Sequence, residues 1–595
     1  MGSIGAKKRI NMMNNFNLLK SLLKEVPRKQ FIYFLVATIA KTFSIVILPF
    51  YIENVTGLAI SGNYRGMFFL IFLYFILVSI SEIIYIQISK RNYTVYNELR
   101  RNYSIKIQEK VSTMDYDNFE SASKLEKVYA AFEATNSNDT GIEGIYHSLF
   151  ESGWKLCAIL IFTVYFSYFN PFIVLIFLIA CIINYIFEIK KRNLYLNNID
   201  KIYSEKRKLV YFTYDISDLS YGKEKRIYKF NDNIRNKYEE ILNSYAGTLD
   251  NIDKKKVNYN LLKTLVDVFK YSSIFYILYK SFSSNVDVGN ITAVLMIVFF
   301  FSNLLNEFIN NVGLIVQELE KTKKVFDFIF EENVKDNDND FKSPIESLEF
   351  RNVYFKYPTN NDYTISDCSF VLNKGESIAI IGLNGSGKTT LTKLMLGLYK
   401  PTKGNIYING QDISNINLNN LYKSVAYVEQ DYNLVSIKIC DFISGNNANE
   451  KCDYDLVKSA LNNVGLLKKI ESFPNGIEST LTKSLEKDGV ELSGGEIQKL
   501  YLARAIYRKK ADLYIFDEPT SSLDYIAEKE VYGSFNRISK DAIAIFVTHK
   551  LNTTDFCDKI MIVDKGKIID EGTKADLIAN SSMYKKMIDA LKDGD

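Results

Sequence analysis

Six apolar runs occupy the first half of the chain, at 31–52, 66–88, 150–169, 171–189, 261–283 and 290–312. Each approaches the ~20 residues a helix needs to cross a hydrocarbon layer of ~30 Å. Inside lipid every backbone N–H and C=O must be satisfied within the segment, so runs of this length are constrained to be helices. Asn170-Pro171 divides the third run from the fourth with almost no loop, and the fifth carries Lys263, Asp267 and Lys270. The first run, from Phe31, is too long for a cleaved signal core and no small-residue cleavage site follows it, so it is expected to be retained. The spacing therefore predicts an α-helical polytopic membrane domain of six spans.

Basic residues orient it. Lys7, Lys8, Arg9, Lys20, Lys24, Arg28 and Lys29 precede the first run. Lys90-Arg91 opens the connection after the second run and Lys190-Lys191-Arg192 the connection after the fourth, whereas the short links 53–65, 169–170 and 281–289 hold only Arg65. An even number of spans then places both termini in the cytoplasm. The basic connections 90–149 and 190–260 are charged yet keep spaced apolar residues such as Ile105, Ile107, Val111 and Met114. They read as helices continuing out of the membrane, where about thirty residues would reach roughly 45 Å; an inserted soluble domain is the weaker alternative. The polar stretch Glu331–Asp340 reads as a solvated linker. The expected organisation is a cytoplasmic N-terminal segment (1–30), a membrane domain (31–320), a linker (321–344) and a globular domain (345–595).

Composition closes off other classes. A net charge of +4 gives no reason to invoke nucleic acid. The six cysteines form no CxxC pair and only two histidines exist, His147 and His549, so neither a disulfide frame nor a multi-histidine metal site is expected.

The globular half carries the chemistry. Gly382-Leu383-Asn384-Gly385-Ser386-Gly387-Lys388-Thr389 is a complete G-x-x-x-x-G-K-[ST] loop, followed by Thr390. It comes after the apolar run Ser377-Ile378-Ala379-Ile380-Ile381 and before a helical stretch from Leu391, the strand–loop–helix context that turns backbone N–H groups onto phosphates at a helix N-terminus. Lys388 is expected to reach the β- and γ-phosphates and the Thr389 hydroxyl to ligate Mg²⁺. Downstream, Leu513-Tyr514-Ile515-Phe516 ends in Asp517-Glu518, which would deliver Asp517 to the metal side and Glu518 to the attacking water.

With these motifs stand Leu492-Ser493-Gly494-Gly495-Glu496, Ala503-Arg504-Ala505, Gln430 in Val428–Asp431, Ser522-Leu523-Asp524, His549 after Val547-Thr548, and Tyr357 in Tyr354–Pro358. In this order they resemble the ATP-binding cassette (ABC) superfamily: signature, Q-loop, D-loop, switch histidine and adenine-stacking aromatic. The resemblance extends to the membrane half and is that of an exporter-type half-transporter, similar to peptide, bacteriocin and multidrug exporters. It implies an α/β P-loop NTPase domain with a helical signature subdomain. ATP and Mg²⁺ are the implied cofactors, and the second half-transporter is a like chain or a similar partner. Two cassettes would pair head to tail, so that Ser493, Gly494, Gly495 and Asp524 of one complete the nucleotide site of the other. His549 would hold the γ-phosphate and Glu518. Gln430 would join Thr389 and Asp517 at the metal and report occupancy to the membrane half, through coupling segments near 113–124 and 211–222. Two departures stand out: Glu496 where the family has Gln, and Lys487–Glu491, which does not match the family's T-x-V-G-E-x-G stretch.

Asn303, Asn306, Glu307, Asn310 and Asn311 line the sixth run at helical spacing, with Asp267, Lys270, Glu82 and Lys155 at comparable depth. Charges there are costly against lipid, so the stripe reads either as a cavity for an amphipathic or partly charged solute, with Asn303, Glu307, Asp267 and Lys270 as candidates, or as inter-helix pairing. Lipid-linked cargo, import and an ATP-gated channel stay open on sequence alone.

Overall fold

The computed structural model describes residues 15–592, apart from 170, 217–220, 284–287, 332–340, 342, 359, 431, 446–451, 509–510, 521–527, 529–531 and 534–539. The chain divides into two compact units, Met1–Met114 with Asn118–Glu332, and Asn333–Asp595 joined by Asp115–Asp117.

Among the described residues, six long helices build the first unit: α1 (Arg28–Ile60), α2 (Tyr64–Thr113), α3 (Gly141–Phe169), α4 (Pro171–Leu196), α5 (Asn231–Ser283) and α6 (Val288–Ile329). The Asn63 side chain starts α2 by accepting the Gly66 N–H at 3.1 Å. With 50 residues in α2 and 53 in α5, each helix far exceeds the ~30 Å of a bilayer core, so both run on beyond their apolar stretches as the spaced apolar residues predicted. Among the described residues, Arg28–Ile60, Tyr64–Thr113, Gly141–Ser167 and Ile291–Ile329 are long and apolar enough to cross a membrane. The runs at 171–189 and 261–283 include residues whose side chains lie outside the described set. In α2 only 6% of the most apolar window is buried, so that window has lipid or another chain as its neighbour. α6 packs on α3 and α4, α1 on α2 and α3, and α5 on α4. At the α3–α4–α6 contact the Phe166, Phe177 and Phe301 rings meet, with Phe301 5.5 and 5.1 Å from the other two. Because α6 runs through Ile329, residues 321–329, inside the expected linker bounds 321–344, are helix: Val325, Phe326 and Phe328 are buried there.

The second unit is layered α/β. A four-stranded antiparallel sheet has the order β2-β1-β4-β5, from β1 (Ser347–Phe355), β2 (Ile365–Asn373), β4 (Lys403–Ile408) and β5 (Gln411–Asp412). A six-stranded sheet has the order β10-β9-β3-β8-β7-β6, from β3 (Ser377–Ile381), β6 (Val425–Val428), β7 (Leu513–Asp517), β8 (Ile543–Thr548), β9 (Lys559–Asp564) and β10 (Lys567–Gly572). Every residue of β7 and β8 is buried, as befits parallel strands covered on both faces. Two helices position chemistry, α7 (Lys388–Met395) behind the phosphate loop and α8 (Gly494–Tyr507) behind the signature. α8 packs with Ile439–Ser444 and Tyr454–Asn463 into a helical subdomain around Phe442, Leu461 and Leu500.

The parallel register decides where the site forms. Ile381 of β3 lies opposite Thr548 of β8, and Asp517 of β7 opposite Val547. Gly382, Glu518 and His549 therefore leave the sheet at the same carboxyl edge, the side on which open α/β sheets bind ligands.

Candidate nucleotide site

Gly387 is the tightest point of the phosphate loop. Its φ is +105°, and a Cβ there would stand 2.7 Å from Ile365 Cδ1 and 3.2 Å from Thr364 O. Only glycine fits both the left-handed backbone and the space. Lys388, one residue on, is 6% exposed, and its Nζ donates to the carbonyls of Gly382 at 2.9 Å and Leu383 at 3.1 Å. Burial pulls its pKa below the ordinary lysine value, while the charges of Glu518 and Asp517 push the other way. Tyr357 stands edge-on to Phe355 and Tyr399, with its hydroxyl 3.0 Å from Thr390 Oγ1.

Asp517 is 1% exposed at the end of β7. Its Oδ2 accepts a long hydrogen bond from Thr392 Oγ1 at 3.5 Å, and its Oδ1 is buried without one. Burial pushes the carboxyl up to about 6, against the opposing pull of the Thr389 hydroxyl. A buried carboxylate oxygen lacking a donor, beside a hydroxyl at a helix N-terminus, suits a hard divalent cation, so these residues fit Mg²⁺. The raised value has a definite sign: the folded site holds its proton more tightly than the ordinary 3.8, so its contribution to stability is full below 3.8 and lost as pH rises through about 6. Metal competes with that proton. Mn²⁺ titrated into the nucleotide-free protein should bind progressively more weakly below pH of about 6; affinity level from pH 7 to 5 would remove Asp517 as a ligand.

Glu518 is held from both sides. Its Oε2 accepts from Gln430 Nε2 at 3.1 Å, and its Oε1 lies 3.3 Å from His549 Nδ1. Its φ is +50°, a left-handed conformation unusual for a non-glycine residue, and its N–H donates to Val547 O at 2.9 Å. Such strain persists where surrounding bonds over-determine it, and here it aims the carboxylate into a cleft of about 470 Å³ lined by Gly382, Asn384, Gln430 and His549.

The signature residues do not line that cleft. Ser493 caps α8: Ser493 Oγ accepts the Glu496 N–H at 3.4 Å, and Glu496 Oε2 accepts the Ser493 N–H at 2.8 Å. This capping box gives Glu496 a physical role as an acid in the first turn of a helix. Ser493 and Gly494 are exposed and Gly495 half-buried. In the departing stretch, a Cβ on Gly489 would meet Thr482 O at 1.9 Å, so the backbone of this loop closes tightly whatever its other side chains. Asp524 lies outside the described residues. Thr392 was missed by sequence reasoning; its spacing of one helical turn from Thr389 was the available signal.

Residues 365–521 match the family model described as ABC transporter. The chain is 32% identical over 426 residues to the subtilin transport ATP-binding protein SpaT of Bacillus subtilis, a match covering 70% of this chain and 68% of that protein. The chain belongs to the ABC transporter family. This transporter is also 27% identical over 392 residues to the nisin transport ATP-binding protein NisT of Lactococcus lactis subsp. lactis, covering 64% of each. An ATP-dependent lipid A-core flippase of Paraburkholderia xenovorans (strain LB400) matches at 36% over 242 residues, 40% of this chain and 39% of that one. The fold is that of a solved bacterial Atm1-family ABC exporter with ATP bound, at a TM-score of 0.80, 18% identity, and coverage of 95% and 98%. It is an exporter-type half-transporter that binds and hydrolyses ATP, with one N-terminal helical membrane domain followed by one cassette, as the resemblance implied.

In the transporter's membrane unit the polar stripe splits. Asp267 and Lys270 pair with each other on α5, and Lys270 is 1% exposed. Asn306 on α6 donates to both Asp267 oxygens at 3.2 Å and accepts from Lys270 at 3.2 Å and from the buried Asn184 on α4 at 3.0 Å. This cluster ties three helices together. Glu307 faces elsewhere: it pairs with Lys155 of α3 at 3.0 Å and its side chain stays 56% exposed. Lys155 also meets Glu151 at 3.6 Å, and Lys41 meets Glu82 at 2.9 Å. Asn303 is half-buried.

Proposed function

We propose that two copies of this chain form an exporter that carries an amphipathic, peptide-like solute out across the cytoplasmic membrane. ATP is bound and hydrolysed at two composite sites, with both termini and the cassettes on the cytoplasmic side. The observation that carries the cargo class is the extent of the match to SpaT. At 426 residues it is longer than the whole nucleotide-binding half and so includes membrane residues, where cargo is recognised. The flippase match, at 242 residues, is no longer than the cassette alone. SpaT and NisT are named for the transport of subtilin and nisin.

The division of labour is the one the family resemblance implies. Lys388 neutralises the phosphates, Tyr357 stacks on adenine, and Glu518 takes the proton of the attacking water. His549 holds Glu518 in place, and the exposed Ser493–Gly495 edge closes the γ-phosphate site of the second copy. Mg²⁺, held by Thr389, Gln430 and Asp517, would supply charge neutralisation at the phosphates. Among the four candidate cargo residues, Glu307 stays exposed although paired with Lys155, while Asp267 and Lys270 satisfy one another in a buried cluster.

The test is ATP hydrolysis by the purified chain in lipid nanodiscs, with and without a pool of amphipathic peptides. Stimulation by peptide, lost with Glu307→Gln and absent from Glu518→Gln, is the expected result. A healthy rate indifferent to peptide and raised by lipid-linked saccharides would transfer the reading to a flippase, and no hydrolysis by a folded sample would replace the homodimer with a mixed pair.

A further inference from the structure

His549 has little around it to hold it. Its side chain is 52% exposed, and among the described residues its ion-pair contact is Glu518. Its position must therefore come from the backbone on either side. On one side Thr548 is fixed in β8 opposite Ile381. On the other side stands Lys550, which the motif reading passed over. The Lys550 N–H donates to Thr548 Oγ1 at 3.0 Å. Its Nζ donates to Thr520 O at 2.8 Å and pairs with Glu528 Oε2 at 3.0 Å.

Thr520 is two residues beyond Glu518, and Lys550 one residue beyond His549. The Lys550–Thr520 bond is thus a second rung beside the Glu518–His549 rung, joining the same two segments. The second rung is anchored in the interior. Thr520 is 2%, Glu528 8%, Tyr532 1% and Thr553 0% exposed. Thr520 Oγ1 donates to Glu528 Oε1 at 3.0 Å. That leaves the Tyr532 hydroxyl, 3.1 Å away, to donate to Thr520, and Thr553 Oγ1 to donate to Tyr532 at 3.1 Å. The hydroxyls run in one direction onto the Glu528 carboxylate, which Lys550 meets from the far side. Burial pushes the Tyr532 phenol up to about 12, so it remains a donor throughout the working range. A fully satisfied network of this kind is rigid, and removing one member leaves buried polar groups unpaired.

We propose that Lys550, clamped by Glu528 and the Thr520 carbonyl, is the positioning residue that sets His549 against Glu518 for ATP hydrolysis. Lys550 is bound to Thr548, Thr520 and Glu528 and so acts through the backbone rather than on the reacting atoms. It acts by closing the loop that carries the switch histidine onto the segment that carries the catalytic carboxylate. The inference rests on the roles given above to Glu518 and His549.

Steady-state hydrolysis and fluorescent-ATP binding on the full chain in nanodiscs test it. Lys550→Met should lower kcat by about a hundredfold, the scale of an ångström-level misplacement, with KM and ATP affinity within about threefold of the parent. Lys550→Arg, which keeps the charge and the donors, should recover most of the rate. Glu528→Gln should lower kcat on its own and add little to Lys550→Met, because both changes open the same rung. A folded Lys550→Met with near-parental kcat overturns the proposal, as does a loss that Lys550→Arg fails to rescue. Should Lys550→Met not fold, Glu528→Gln decides alone, and an unchanged kcat there is fatal. His549→Ala, run in parallel, separates the levels: if it retains full hydrolysis, the switch-histidine reading itself has failed rather than its positioning.

Discussion

Glu518→Gln is expected to leave a transporter that binds ATP and scarcely turns it over. Glutamine has the same length and can keep a hydrogen bond to Gln430, whose Nε2 now lies 3.1 Å from Glu518 Oε2. What it loses is the ability to take a proton from water, worth typically 10²–10⁴-fold in rate. ATP affinity should hold within about twofold, because general-base catalysis acts on the transition state and not on ground-state binding. Phosphate release and fluorescent-ATP binding on the same sample give the two numbers. A variant that retains more than about a tenth of the parental rate would show that proton abstraction by Glu518 does not limit hydrolysis.

The second large effect is on binding. Lys388→Met keeps the length and most of the bulk of the side chain but removes its charge and its three donors. Hydrogen bonds to charged groups are worth ~1.5–3 kcal/mol, so ATP affinity should fall by roughly 10- to 100-fold. Lys388 Nζ donates to the Gly382 and Leu383 carbonyls, and burial disfavours its charge. Losing the ammonium therefore costs the empty fold less than it costs the complex. Calorimetric titration with ATP should show the loss, while the melting temperature without nucleotide stays close to the parent. A change in affinity below about threefold would place the phosphates out of reach of Lys388. Together the two variants separate capture from turnover.

Much of the nucleotide site was legible because its motifs are local. Eight consecutive residues, Gly382–Thr389, carry the phosphate loop, and the backbone demands of Gly387 are met within that stretch and its immediate neighbours. Asp517 and Glu518 were legible as the end of an apolar strand placed behind a complete phosphate loop, and His549 from its place in the order of the cassette motifs. The functional weight of Lys550 was not, because Thr520, Glu528, Tyr532 and Thr553 reach it from separate segments. Nor was the raised acidity range of Asp517, which depends on how deeply β7 is covered.

The membrane half shows the same division. Hydropathy marked where the long helices lie, their charged continuations carried them past the apolar stretches, and charge asymmetry set the expected orientation. The sequence also placed Asn306 and Glu307 side by side. Adjacent residues point about 100° apart around a helix, so their neighbours are chosen by packing. Packing sent Asn306 into a buried cluster with Asp267, Lys270 and Asn184, and Glu307 to Lys155 on another helix. By itself, then, the sequence determined chemistry that acts over a few consecutive residues and spans that lipid alone would enforce. Only the tertiary structure decided which charges neutralise each other and which stay open, because Coulomb and hydrogen-bond energies depend on distances and burial that chain order does not contain.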